Sequence, residues 1–432
     1  MIFVQSILFL QLFVLSGFAN NDINRTTTND KSFQESTIEI INPSDFERQD
    51  ELIVLSRASL EKEIGKIDQY VSIKQAAQNI PVQFDDINFD GKWDEAAFVY
   101  SFKGNEKLIF SISPASSNDL STVPKRAQVL LKKMNDQKVF QPAMNKETMQ
   151  PGRQATDFSK VPLPLYQMEG PAWENDKVGF RLYFDVRNGK DIWGKLTDKM
   201  ILQDVGTGTG KSYHELNDWG MDLLKVGNSL GAGALAIQTK NQQGKDTLVR
   251  VGGNNMGTQS YTMISNGPVR AIFLMKYENW NMLGDGNLVN IEEQISISAG
   301  QYYYQSQVKV SGIKKKYCVV TGIVNLKSKE VKKLNNHSRG IYTFDKQSEN
   351  ADQMGMAIIT LPVYFESAPV ESVNSGDINK TYPVIFSSGK DPVYRFYANW
   401  GKSDERFNSL SSYEQYISRE GERMASPLKI KW

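Results

Sequence analysis

Apolar and polar residues alternate with a period of two along most of the chain. In 178–186, Val178, Phe180, Leu182, Phe184 and Val186 share one face, and Arg181, Tyr183 and Asp185 the other. This pattern predicts a strand with one face in a core and the other toward solvent or a cleft. In 291–298, Ile291, Ile295 and Ile297 line up in the same way, while 269–277 (VRAIFLMKY) is apolar on both faces and reads as a central strand. Segments 301–310, 317–326, 356–361 and 393–400 also read as strands. Turn signals at Asn266-Gly267-Pro268, Gly284-Asp285-Gly286 and Ala299-Gly300 separate them. Helical signals are few. Ser411 or Ser412 followed by Glu414 and Gln415 reads as a capping box opening a short helix that stops before Pro427. Segment 122–134 fits a helix or an extended strand equally well. The predicted fold class is all-β, a β-sandwich with few short helices.

The organisation along the chain follows from composition. Residues 1–15 are almost wholly apolar, and Gly17-Phe18-Ala19 supplies a small-x-small cleavage pattern, so 1–19 reads as a signal peptide although it lacks Lys and Arg. A polar lead-in, 20–36, reads as disordered. Residues 37–118 read as an N-terminal β module, either separate or integral to the larger sandwich, and 119–432 as the main domain. No later run is apolar enough for a membrane span, and the predicted location is the periplasm. The net charge of +1 excludes the basic excess of a nucleic-acid binder; an acidic sugar needs only a locally positive site. The single cysteine, Cys318, excludes an intramolecular disulfide and reads as a buried small hydrophobe.

Several motifs carry candidate chemistry. Asp86, Asn88, Asp90 and Asp94, with Gly91 between them, space oxygen ligands as a structural calcium loop does, but Ala97 stands where an EF-hand needs Glu. The alternative is an Asx-rich turn. The run 206–212 (GTGTGKS) imitates a phosphate loop but has Val205 where the first glycine belongs. Of the two histidines, His337 lies in a polar stretch and reads as solvated. His214 stands between glycine-rich segments, where it is either a hydrogen-bonded structural residue or a catalytic acid/base. Segment 169–183 gathers Glu169, Trp173, Glu174, Asn175, Asp176, Arg181 and Tyr183 beside one strand, a composition suited to sugars. Trp280, Tyr303 and Arg395 are further candidates for a groove, with a plain wet sheet face as the alternative, and in a glycan-binding module Trp173, Trp219 and Trp280 would be stacking platforms.

Trp173-Glu174-Asn175-Asp176, Phe180-Arg181-x-Tyr183, Tyr213-His214 and the glycine-rich 222–233 together resemble a family of exported Bacteroidetes proteins. The family was catalogued as a domain of unknown function and includes the ulvan oligosaccharide dehydratase. The resemblance runs from about residue 37 onward. It implies a mutarotase-like β-supersandwich, an acidic oligosaccharide substrate and no required cofactor. It also implies loss of water across C4–C5 of a terminal uronic acid. Such chemistry needs a cation on the sugar carboxylate, a base for the C5 proton and an acid for the departing C4 hydroxyl. Arg181, His214 and Tyr213 are the catalytic candidates. Trp173, Glu174, Asn175, Asp176, Tyr183, Trp219, Tyr303 and Arg395 are the substrate-binding ones. A lyase, a two-carboxylate hydrolase built from Glu169, Glu174, Asp176 and Asp222, and a glycan-binding module remain as alternatives.

Overall fold

The period-two segments do form strands. A computed structural model describes residues 36–432; the predicted signal peptide, and the lead-in up to residue 35, lie outside the described residues. A nine-stranded antiparallel sheet is the centrepiece. In spatial order it runs Lys332–Asn335, Arg339–Asp345, Met354–Thr360, Val393–Trp400, Tyr303–Ser311, Val289–Ser298, Arg270–Trp280, Thr258–Asn266 and Lys146–Met149. Its register sets Phe273 opposite Ile295, and Ile297 opposite Tyr304. Apolar side chains therefore meet their like across the ladder.

One face of this sheet is covered by two smaller antiparallel sheets, which makes the all-β sandwich. The first has five strands, in the order Gly220–Asp222, Lys190–Lys195, Val178–Leu182, Ala172–Asn175 and Ala127–Leu130. The second has six, including Ala236–Lys240, Cys318–Val324 and Ile378–Phe386. Phe180 and Ile192 from the first, Ile323 and Val384 from the second, and Phe273, Ile295, Met356 and Phe396 from the large sheet form one continuous core. The ambiguous segment 122–134 resolves as extended, with Ala127–Leu130 buried at every position. Cys318, expected to be buried, is only half-buried at the start of its strand.

The opposite face of the large sheet is apolar too, because Met354–Thr360 is buried on both sides. Met356 and Ile358 point into the sandwich, whereas Ala357 and Ile359 pack with Tyr397, Tyr413 and Ile417. Tyr413 and Ile417 belong to the long helix Leu410–Ala425. Its start differs from the expected capping box. The N-cap is Ser409, which makes no side-chain capping bond, and Glu414 instead accepts from Lys332 and Tyr342. No helix among the described residues is long and apolar enough to cross a membrane.

Residues from 36 to 115 form their own paired sheets around a separate apolar cluster that includes Ile38, Ile53, Phe98 and Phe110. Charged latches tie this layer to the sandwich. Arg270 donates to Asp85 at 2.7 Å and to Glu95 at 2.5 Å, and Arg126 donates to Asp50 and Asp176. The Asp86–Asp94 loop closes on itself. Asp94 accepts from the Ile87 and Asn88 backbone, Asp86 from Asp90 and Gly91, and Asp90 from Lys92. These are Asx-turn contacts. Among the described residues no three His, Cys, Asp or Glu side chains are grouped to hold a metal ion.

Candidate active site

The outer face of the five-stranded sheet carries the densest polar cluster in the fold. Val178–Leu182 and Lys190–Lys195 are neighbours joined through a turn at residues 184–187, and the register sets Arg181 directly opposite Asp191. The face is not open. Ile201, Leu202 and Val205 lie over Leu130, Ala172 and Trp193 as a roof, with Tyr213 and Trp219 packed at its side. Glu174 pins that roof: it accepts from the Ile201 and Leu202 backbone at 2.7 and 2.9 Å and pairs with Lys195 at 2.6 Å. Arg181, Tyr183 and Asp185, expected to face solvent or a cleft, are therefore all buried.

Arg181 is the centre of the cluster and is 2% exposed. Its Nη2 donates to Asp191 at 2.7 Å and to Asp222 at 2.8 Å, and Glu169 lies 3.5 Å from Nη1. The Trp193 ring sits 4.7 Å away. Burial works against the guanidinium charge, but Tyr183, Asp222 and Asp191 outweigh it, and its pKa is raised. Burial also raises Asp191, reinforced by the charge of Asp222 and opposed by Arg181. Tyr183 donates to Asp191 at 2.8 Å; burial pushes its hydroxyl pKa up against the pull of Arg181.

Tyr213 and His214 bring this buried charge to the surface. The His214 side chain is 65% exposed, and its Nδ1 lies 3.4 Å from buried Asp222. The Asp222 hydrogen bond raises the imidazole pKa, with burial opposing. The two aromatic rings of the pair are 4.4 Å apart, and the Tyr213 hydroxyl is 3.5 Å from Arg181 Nη1. Burial raises Tyr213 while Arg181 pulls it down, so the group stays protonated near neutral pH. The result is an exposed acid/base backed by a buried carboxylate, beside a phenol backed by a buried cation. This is a competent proton-transfer pair.

A second arginine, absent from the sequence candidates, completes the cluster. Arg187 donates to Asp185 and, at 2.6 Å, to Glu169, and its guanidinium covers the Tyr183 ring at 4.0 Å. Glu169 thus bridges Arg187 and Arg181. Arg187 is partly exposed, and its Nη1 makes no hydrogen bond among the described residues. That leaves one face of the guanidinium open to an anion. Asp191 was legible only by folding 178–195 about the turn at 184–187; nothing in the sequence distinguished Arg187.

Other sequence candidates lie elsewhere. Trp173 is fully buried, 5.1 Å from Phe273 and 5.3 Å from Tyr304, so it is a core residue rather than a stacking platform. Trp280 is buried as well. Glu174 is the roof anchor. Asn175 bonds the backbone of Ser298, Gln301, Lys177 and Val178, and Asp176 holds Arg126 and Gly300. These three roles are structural. Tyr303 and Arg395 lie on the large sheet, stacked 4.5 Å apart near the long helix, away from His214. Trp219 is half-buried beside Trp193. Of the candidates, the fold brings together Arg181, Tyr183, Tyr213, His214 and Asp222, with Glu169.

A family model described as "Domain of unknown function (DUF4861)" matches residues 40–430. The chain belongs to this family. It therefore embraces both the small β layer and the sandwich. An uncharacterized protein, P7, of Formosa agariphila is 23% identical over 275 residues, covering 60% of this chain and 66% of that protein. Two Enterococcus faecalis structures are similar at low level: an alpha-mannosidase and a protein of glycosyl hydrolase family 38. Both have a TM-score of 0.46, at 10% and 9% identity, over 92% of this chain. The chain spans about half the length of each, 46% and 47%.

Proposed function

We propose that this member of the DUF4861 family is a periplasmic carbohydrate-active dehydratase. It removes water across C4–C5 of the non-reducing-end uronic acid of ulvan-type oligosaccharides. The observation that carries the reading is the exposed His214 backed by Asp222, beside Tyr213 backed by Arg181. The resemblance of 173–233 supports the substrate class.

The chemistry follows from those positions. Neutral His214 takes the C5 proton, and Asp222 steadies the imidazolium. The C5–H pair becomes the C4=C5 double bond as the C4–O bond breaks. Tyr213 gives its proton to the departing hydroxyl, which leaves as water. The tyrosinate so formed faces Arg181 and regains a proton from the adjacent imidazolium. Arg187, with an open Nη1, is placed to hold the sugar carboxylate as charge builds up. Two-carboxylate hydrolysis is disfavoured, because Glu169, Glu174, Asp176 and Asp222 are each at most 9% exposed and held by arginine or lysine.

The test is incubation with uronic-acid-terminated ulvan oligosaccharides, following ultraviolet absorbance and product mass together. A new conjugated double bond with loss of one water and unchanged chain length is expected. Shortened products would overturn the reading in favour of a lyase or hydrolase. In that assay Arg187→Ala is expected to raise KM about tenfold or more, the loss of one charged hydrogen bond. An unchanged KM would remove Arg187 from the site.

A further inference from the structure

A pocket away from His214 lies at the seam between the small β layer and the long helix. It measures about 190 Å³. Phe46 and Gln49 come from the small layer, Tyr302 from the residues leading into the large sheet's central strand Tyr303–Ser311, and Gln415, Tyr416 and Arg419 from the helix. Pockets for drug-sized ligands start at about 300 Å³, so this space suits a single sugar unit rather than a chain.

The pocket wall sets Arg406, Arg419 and Arg423 against Glu47 and Glu420. Arg423 is satisfied by Glu51 and Glu420, both at close range, and Arg406 by Asp404. Arg419 is exposed and has neither an ion-pair nor a hydrogen-bond partner among the described residues; its guanidinium lies 5.6 Å from the Phe46 ring centre. Behind the pocket, Arg395 also has no carboxylate partner and only a 3.3 Å bond to Gln305. Its guanidinium covers the Tyr303 ring, which lies tilted 4.8 Å from Tyr397, and Tyr397 donates to the pocket-lining Glu420. A guanidinium held on an aromatic ring and turned into a pocket is pre-set for an oxyanion. The exposed amides of Gln49 and Gln415 and the Tyr416 ring offer what sugar hydroxyls and C–H faces require.

We propose that this seam pocket binds an acidic sugar residue, with its carboxylate or sulfate on Arg419. The site is distinct from the candidate active site and lies on the other side of the large sheet, so it would anchor a substrate chain or product rather than react with it.

The experiment uses full chain carrying His214→Ala, so that no turnover occurs, and titrates methyl glucuronide, glucose 6-sulfate and neutral methyl glucoside calorimetrically. Adding Arg419→Ala is expected to remove one binding event or weaken it at least tenfold. Arg419→Glu is expected to abolish that event, while methyl glucoside binds weakly and equally to all forms. Loss for methyl glucuronide alone assigns the site to uronates; loss for both anions assigns it to acidic sugars generally. Equal affinities with and without Arg419, or a neutral sugar binding as tightly as the charged ones, overturns the proposal. Arg419 is an exposed helix residue, and circular dichroism of each variant verifies the fold. The outcome does not depend on whether the chain proves to be a dehydratase, since no readout here is catalytic.

Discussion

Arg181→Ala is expected to cost about 3–5 kcal/mol of stability, the loss seen when one partner of a buried ion network is removed. The reason is arithmetic of charge rather than of contacts. One guanidinium faces Glu169, Asp191 and Asp222, and every partner is buried. Deleting it strands like charges in a medium that cannot solvate them. Arg181→Lys keeps the charge but loses the fork that reaches Asp191 and Asp222 together, so an intermediate loss is expected. The denaturant midpoint of each variant is the measurement. A variant with wild-type stability and no activity would mean that Arg181 serves the substrate directly, as the sequence alone suggested. In the structure its charge is already spent on the protein, and the task of meeting a sugar carboxylate passes to Arg187.

The reverse profile is expected for His214. His214→Ala should lower kcat about 10²- to 10⁴-fold, the usual contribution of one positioned acid/base, yet shift stability by no more than about 0.5 kcal/mol because the side chain is exposed. The pH dependence separates this role from a merely structural one. The base form must be neutral, and Asp222 raises the imidazole pKa, so activity should fall on the acid side at a pH above the ordinary histidine value of about 6.5. Asp222→Asn should move that limb toward lower pH. The stability linkage has the opposite sense: with the folded pKa raised, any stabilisation from the His214–Asp222 pair is present below about pH 6.5 and is lost as pH rises through the folded value. A His214→Ala variant with an unchanged rate and pH profile would move the chemistry elsewhere.

The strands were legible because a half-buried strand writes its two faces into the sequence. Val178, Phe180 and Leu182 announced the core side correctly. The same rule misjudged the other side. Polar residues on a strand usually meet water, but here a loop from 201 to 205 folds back over them, and Glu174 secures it. Long-range covering of this kind leaves no periodic signature near Arg181. Trp173 failed for a related reason: beside charged neighbours it looked available to sugar, whereas strand alternation turns it inward, against Phe273 and Tyr304. His214 stood out because the chain has only two histidines, and Tyr213 because it stands beside it in the Tyr213-His214 motif. Tyr303 and Arg395 looked like members of the same groove; the fold places them across the sandwich, because pairing order within a large sheet cannot be read from alternation.

The small β layer is sewn shut from far along the chain. Its first strand, Ser36–Ile41, has Lys107–Ala115 on one side and Lys429–Lys431 on the other, with Glu39 opposite Lys431. While the polypeptide is being made, that second side stays bare until nearly four hundred further residues have followed. An unpaired edge is a template for other chains. Residues 429–431 therefore act as a closing stitch: a nascent or clipped molecule lacking them presents the six-residue strand Ser36–Ile41 as a sticky margin, and pairing leaves only the three-residue, lysine-bearing strand at that edge.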